Sequence, residues 1–339
     1  MTPRLRGCLA ALAATTAIAT AATAAQAETW RIQSHLPTGH PVYQAEVAWA
    51  ERVNVMLGGR LELEVLPGGA IVAYNETIDA MSQGIIDGDI TSPVYFSGRE
   101  PALAMLGDMV GGYESWDQAL AFCELGGGKE LFREILSDFG VHLAGCGNSG
   151  IESLVSAVPI RTVEDIEGVK IRAPEGLAAE LFREMGAAPV NLPGTEVYTS
   201  LEKGVIEAAD YSSYVMNQQS GLHDIAPYPL LHFHSMPVLA VSFAKSKFDS
   251  QPEDIQAILE MAARDLTVMI NLEDMVAEGP AIAEDAAEGV EVIDWSTEDR
   301  LAMRETARGI WADYAERSEM AQRAYDANVE FMQTLGLLD

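Results

Sequence analysis

Short strand-like runs closed by glycine or proline alternate with amphipathic helical stretches through residues 30–136, and again through residues 141–211. This alternation limits the fold more than any other feature of the chain. It predicts an α/β protein with helices packed on a mainly parallel sheet. Residues 30–34 read as a first strand, residues 42–57 as a helix stopped by Gly58-Gly59, and residues 61–66 as a strand closed by Pro67-Gly68-Gly69. A second set starts with a strand at Val141 and runs through strands at residues 168–174, 189–192 and 207–211. Residues 237–243 form a further strand. From Pro252 to Leu335 the pattern is helical, with one interruption at residues 288–294. No floppy linker joins the two α/β halves, so structured crossings connect them and a cleft between them is the expected ligand site.

The start of the chain is an address. Arg4 and Arg6 precede an Ala/Leu/Thr-rich stretch over residues 8–25, and Ala25-Gln26-Ala27 supplies a signal-peptidase site. The expectation is secretion with cleavage after Ala27. Lys and Arg number 21 against 51 Asp and Glu, a net charge of −30, which repels phosphate backbones and excludes a general nucleic-acid binder. Cys123 and Cys146 remain in an oxidising compartment, where they either pair or stay as buried thiols.

Catalytic signatures are scarce. Gly147-Asn148-Ser149-Gly150 reads as a plain turn, and Gly126-Gly127-Gly128-Lys129 lacks the spacing of a phosphate loop. His232 and His234 share one face of a possible strand, a pair that suits a metal but reads more simply as ordinary packed or surface histidines. Arg172 is the telling residue. It ends a strand whose Val169 and Ile171 are apolar, and strand ends are where open α/β sheets present ligands. A guanidinium there matches a carboxylate, either a ligand's or one of the chain's own.

The segments 159–174 (with Lys170-Ile171-Arg172-Ala173-Pro174), 186–190 and 195–208, together with Gly84-Ile85-Ile86-Asp87-Gly88, resemble the DctP-type substrate-binding proteins of tripartite ATP-independent periplasmic (TRAP) transporters. The resemblance implies a two-lobed periplasmic binding protein fold, with a ligand cleft between the lobes and a long connecting helix. It implies that Arg172 clamps the carboxylate of a small organic acid, which is then delivered to membrane permease subunits. By the same resemblance Asp210 holds a cation or accepts a hydrogen bond, and Asn148 stands where one branch of the family has an amide ligand. Tyr74, Tyr95 and Tyr211 are candidates for a hydroxyl and an apolar wall. Residues 151–155 carry no second Arg, which favours a mono-anion over a dicarboxylate. No cofactor is expected beyond that cation.

Expected boundaries are 1–27 for the signal peptide, 28–150 plus about 237–275 for lobe I, 151–236 plus about 276–330 for lobe II, and 331–339 for a C-terminal tail. The chain ends soon after Gly336, which points to a monomer rather than a dimer swapped through a longer last helix. The alternative reading is a secreted α/β enzyme acting on a small carboxylate, with Asp210 or His35 as its base.

Overall fold

The computed structural model describes residues 28–231 and 234–338. The signal peptide expected over residues 1–27 lies outside the described residues, as does His232. Among the described residues no helix is long and apolar enough to cross a membrane.

Lobe I begins with β1 (Glu28–Ser34), α1 (Pro41–Leu57), β2 (Leu61–Leu66), α2 (Thr77–Ser82) and β3 (Gly88–Thr91). It continues through α3 (Ala102–Gly107), α4 (Trp116–Leu125), α5 (Gly128–Asp138) and β4 (Val141–Asn148). The chain then enters lobe II with β5 (Glu152–Ser156), β6 (Lys170–Arg172), α6 (Leu177–Glu184), β7 (Ala188–Val190), α7 (Val197–Glu202), β8 (Ala208–Ser213), α8 (Tyr214–Gln219) and β9 (Leu230–Leu231). It returns to lobe I as β10 (Val238–Ala244) and α9 (Lys245–Asp249). The helical end holds α10 (Glu253–Glu288), β11 (Ile293–Asp294), α11 (Thr297–Ala315) and α12 (Glu319–Thr334).

The two sheets run β2-β1-β3-β10-β4 and β11-β9-β5-β8-β6-β7. Both are mixed: the expected parallel pairing holds for β1 with β2 and β3, for β6 with β7 and β8, and for β9 with β11. β10 is antiparallel to both β3 and β4, and β5 is antiparallel to β8 and β9. The reason is topological: both crossing strands enter their sheet from the opposite lobe, without the helical crossover that parallel pairing needs.

Local chemistry explains the elements around the cleft. His40 caps α1, Pro41 occupies its first position, and Gly58 ends it in the left-handed region (φ 60°). Val42, Trp49, Val53 and Leu57 bury one face, and the Trp49 indole donates to the Ala262 carbonyl at 2.7 Å, tying α1 to α10. α10 lies directly on β4. A Cβ at Gly147 would stand 2.2 Å from Thr267 Oγ1, and one at Gly145 would stand 2.7 Å from the Ala263 Cβ.

α10 has 36 residues and serves both lobes. Its N-terminal part packs on β4 and α1. Its C-terminal part is held to lobe II by Ser213, which donates to Asp274, and by Asp285, which accepts from Tyr214 and Gln218 and pairs with His223. Pro280 lies inside the helix between these two anchors. The next two helices divide between the lobes: α11 packs on α6, and α12 on α3 and α5. Residues 319–330, grouped with lobe II from the sequence, thus sit against lobe I, where Tyr113 donates to Asn328 at 2.9 Å.

Cys123 of α4 and Cys146 of β4 form a disulfide with Cα atoms 6.1 Å apart. Closing a loop over a separation of 23 residues stabilises the fold by about 3 kcal/mol on the chain-entropy account. Replacing both cysteines with alanine should lower the melting temperature while leaving ligand affinity within a factor of two. An unchanged melt in the double variant would refute this stabilising role.

Candidate functional site

Arg172 ends β6 and is 2% exposed. Its Nε donates to the Leu192 carbonyl at 3.2 Å and its Nη1 to the Asp210 carbonyl. Leu192 follows β7 and Asp210 lies within β8, the two strands that flank β6, so the guanidinium is braced between them. Burial works against its charge, and Tyr95, Asp210 and Glu152 more than offset that burial, holding its pKa above the ordinary value. The Arg172 guanidinium also lies 5.9 Å from the centroid of the Tyr211 ring.

β8 carries a register shift opposite Ser153 and Leu154, which pair with Ser212 and Asp210 and leave Tyr211 as the extra residue. Such a bulge re-aims the residue it releases. Tyr211 meets His40 of lobe I edge-on, with ring centroids 5.5 Å apart. On the lobe I side, Tyr95 packs against Tyr74 at 4.8 Å and against His35 at 5.6 Å. The lobes are therefore closed, with Arg172 and Tyr211 from one meeting His35, His40, Tyr74 and Tyr95 from the other.

Asp210 plays two parts. Its carbonyl braces Arg172, while its carboxylate Oδ1 lies 3.0 Å from His234 Nε2. Its Oδ2 has no donor among the described residues, and the carboxyl of Glu152 adjoins that of Asp210. Glu152, Asp210 and His234 each offer a ligand atom, all within 4.8 Å of one another. Burial, and then the facing Asp210, push Glu152 well above the carboxylate range, and burial raises Asp210 to about 6. Asp108 adjoins the group, accepting from Ser235 Oγ and the Met236 amide, and burial raises it to about 7. Two facing carboxylates with no donor between them must share a proton or hold a cation. An oxygen-rich set with one imidazole suits a hard cation.

The structure thus assembles five of the six residues expected at the site: Arg172, Asp210, Tyr211, Tyr95 and Tyr74. Asn148 stands apart. Its Oδ1 accepts from Asn271 at 2.9 Å and its Nδ2 donates to the Trp116 carbonyl at 3.3 Å, so its amide is engaged by α10 and the start of α4. Glu152 was not anticipated. Its signal was a carboxylate opening an otherwise uncharged strand, residues 151–155. His234, taken from the sequence as an ordinary packed histidine, is buried and belongs to the Asp210 cluster.

Two α/β lobes closed over a braced, buried guanidinium define a hinged solute receptor. The chain belongs to the DctP family, bacterial extracellular solute-binding protein family 7, whose pattern matches residues 32–318. Its members are TRAP periplasmic solute-binding proteins, which carry cargo for transport and are not enzymes. A TRAP periplasmic solute-binding protein of Rhodobacter sphaeroides, solved in an apo open state, is 42% identical, with a TM-score of 0.73 over 92% of this chain and 99% of its own. A monocarboxylate 2-oxoacid-binding periplasmic protein of Nostoc is 26% identical over 88% of this chain and 82% of its own. A TRAP solute-binding protein of Pseudoalteromonas atlantica, solved with sodium and pyruvate, shares the fold at 23% identity and a TM-score of 0.80, over 92% of this chain and 95% of its own.

Proposed function

We propose that this protein is secreted by its leader, captures one small monocarboxylate per chain as a monomer, and hands it to the membrane permease subunits of a TRAP transporter. The observation that carries this reading is the buried Arg172, braced by two backbone carbonyls at the closed junction of the lobes. Among the described residues, those that face it (Tyr95, Tyr211, Asp210 and Glu152) add no second cation for a second carboxylate. Asp210, Glu152 and His234 hold a hard cation beside the ligand, which supplies positive charge where the chain provides two facing acids. The Nostoc and Pseudoalteromonas relatives, one named for 2-oxoacids and one solved with pyruvate, favour a ligand of this size.

A thermal-shift panel of oxo, hydroxy, sugar and dicarboxylic acids tests the reading, each run with calcium and with a chelator. A ligand in hundredfold excess over its dissociation constant adds about 2.7 kcal/mol. Monocarboxylates should raise the melting temperature, and the chelator should remove most of the shift. A panel in which protein refolded from denaturant responds to no acid would refute the carboxylate reading. A shift indifferent both to chelator and to replacement of sodium by a bulky organic cation would refute the cation.

A further inference from the structure

The loop from β1 to α1 brings two imidazoles of lobe I over Arg172 and Tyr211, and the fold fixes their tautomers in opposite senses. His40 Nδ1 accepts the Val42 amide at 3.2 Å as the cap of α1. A neutral ring that accepts at Nδ1 carries its proton on Nε2. That Nε2 is buried, with no hydrogen-bond partner among the described residues. The ring is 2% exposed and lines a cavity of about 160 Å³ between the lobes, together with Tyr211 and Gly194. His35 Nδ1 lies 3.2 Å from the Ile90 carbonyl oxygen, which only accepts. The proton of His35 is therefore on Nδ1, and Nε2 is left as an acceptor. Burial lowers the two rings to about 4 and about 3, so both are neutral at pH 7. His40 and the Arg172 guanidinium both adjoin the Tyr211 ring, at 5.5 and 5.9 Å, and His35 packs on Tyr95 at 5.6 Å.

We propose that His40 and His35 form a fixed donor and acceptor pair that reads a neutral hydroxyl on the ligand, so that the site selects hydroxylated monocarboxylates over their oxo and deoxy counterparts. This rests on the reading of Arg172 as the carboxylate clamp. A hydroxyl donates and accepts at once and satisfies both rings. A ketone only accepts, and leaves one ring unpaired. A methylene leaves both unpaired. Sites built to bond a hydroxyl reject analogues that lack it far more strongly than apolar pockets discriminate by size.

The test is calorimetric titration of the mature protein with lactate, pyruvate and propionate, and with the four- to six-carbon acids bearing the same 2-substituents. The variants are His40→Asn, which retains a helix-capping side chain, His35→Phe, which retains the ring packed on Tyr95, and Arg172→Ala. In the unmodified protein the hydroxy acid should bind at least about thirtyfold tighter than the oxo acid and about a hundredfold tighter than the deoxy acid. In His35→Phe the hydroxy-to-oxo ratio should fall below about threefold, since both acids still accept from His40, and in His40→Asn the oxo acid should lose its advantage over the deoxy acid, with residual carboxylate binding in both that still needs Arg172. Equal binding of all three acids in the unmodified protein, or ratios unchanged in both variants, would overturn the pair, for instance if the His40 N–H only rests on the Tyr211 ring. That result leaves the clamp standing. If no acid binds, or if binding survives Arg172→Ala, the clamp itself has failed and the pair falls with it.

Discussion

Arg172→Ala should cost at least about thirtyfold in affinity for any monocarboxylate the protein binds. Removing one partner of a buried, hydrogen-bonded charge pair costs about 2–5 kcal/mol, and every 1.4 kcal/mol is tenfold. Lysine should not rescue it. An ammonium cannot reach the Leu192 and Asp210 carbonyls while presenting a planar edge to a carboxylate. Much of the loss should appear as faster dissociation. Stopped-flow fluorescence is suited to this, because Tyr211 and Tyr95 adjoin the site, and circular dichroism would show whether the apo variant remains folded. Wild-type affinity in a folded Arg172→Ala protein would remove the residue from the site.

Lowering the pH of the apo protein from 8 to about 6.5 should stabilise it, the reverse of what so acidic a chain suggests for ordinary carboxylates. Burial raises Glu46 to about 8, Asp89 and Asp108 to about 7, and Asp210 to about 6. In this range the folded protein therefore binds protons that the unfolded chain, with ordinary carboxyl pKa values near 4, has already released. Stability must rise as pH falls. Below about 6.5 the histidines act in the opposite sense. His35 and His40, lowered by burial, stay neutral in the fold while the unfolded chain takes up protons, so their contribution is lost as pH falls through about 4. The melting temperature should climb by at least about 3 °C between pH 8 and 6.5, then level and decline. Calcium should flatten the part of the climb that belongs to Glu152 and Asp210. A melting temperature that falls steadily from pH 8 downward would show that these acids are not protonated in the fold.

Arg172 was legible because a guanidinium at the end of an apolar strand has few places to go. The helix limits were legible from Gly58, which stops α1, and Pro252, which precedes α10. Strand direction was not. Nothing within residues 237–243 says that they return antiparallel between β3 and β4, since a strand carries the same alternation either way. The acid cluster was hidden for a related reason. Glu152 and Asp210 are brought together by pairing between β5 and β8, and a shift of one residue would separate them. Asn148 misled because the partner that engages its amide, Asn271, lies 123 residues further on.

The position of β10 bears on how the protein is made. Lobe I lacks the strand that joins β3 to β4 until residue 244 has been synthesised, and α3 lacks its cover until α12 follows. A nascent chain therefore carries its first lobe open through the middle for most of translation. On the proposed export of the chain as an unfolded thread, that delay would be useful: the first 148 residues could not lock into a finished body before passing the translocation pore.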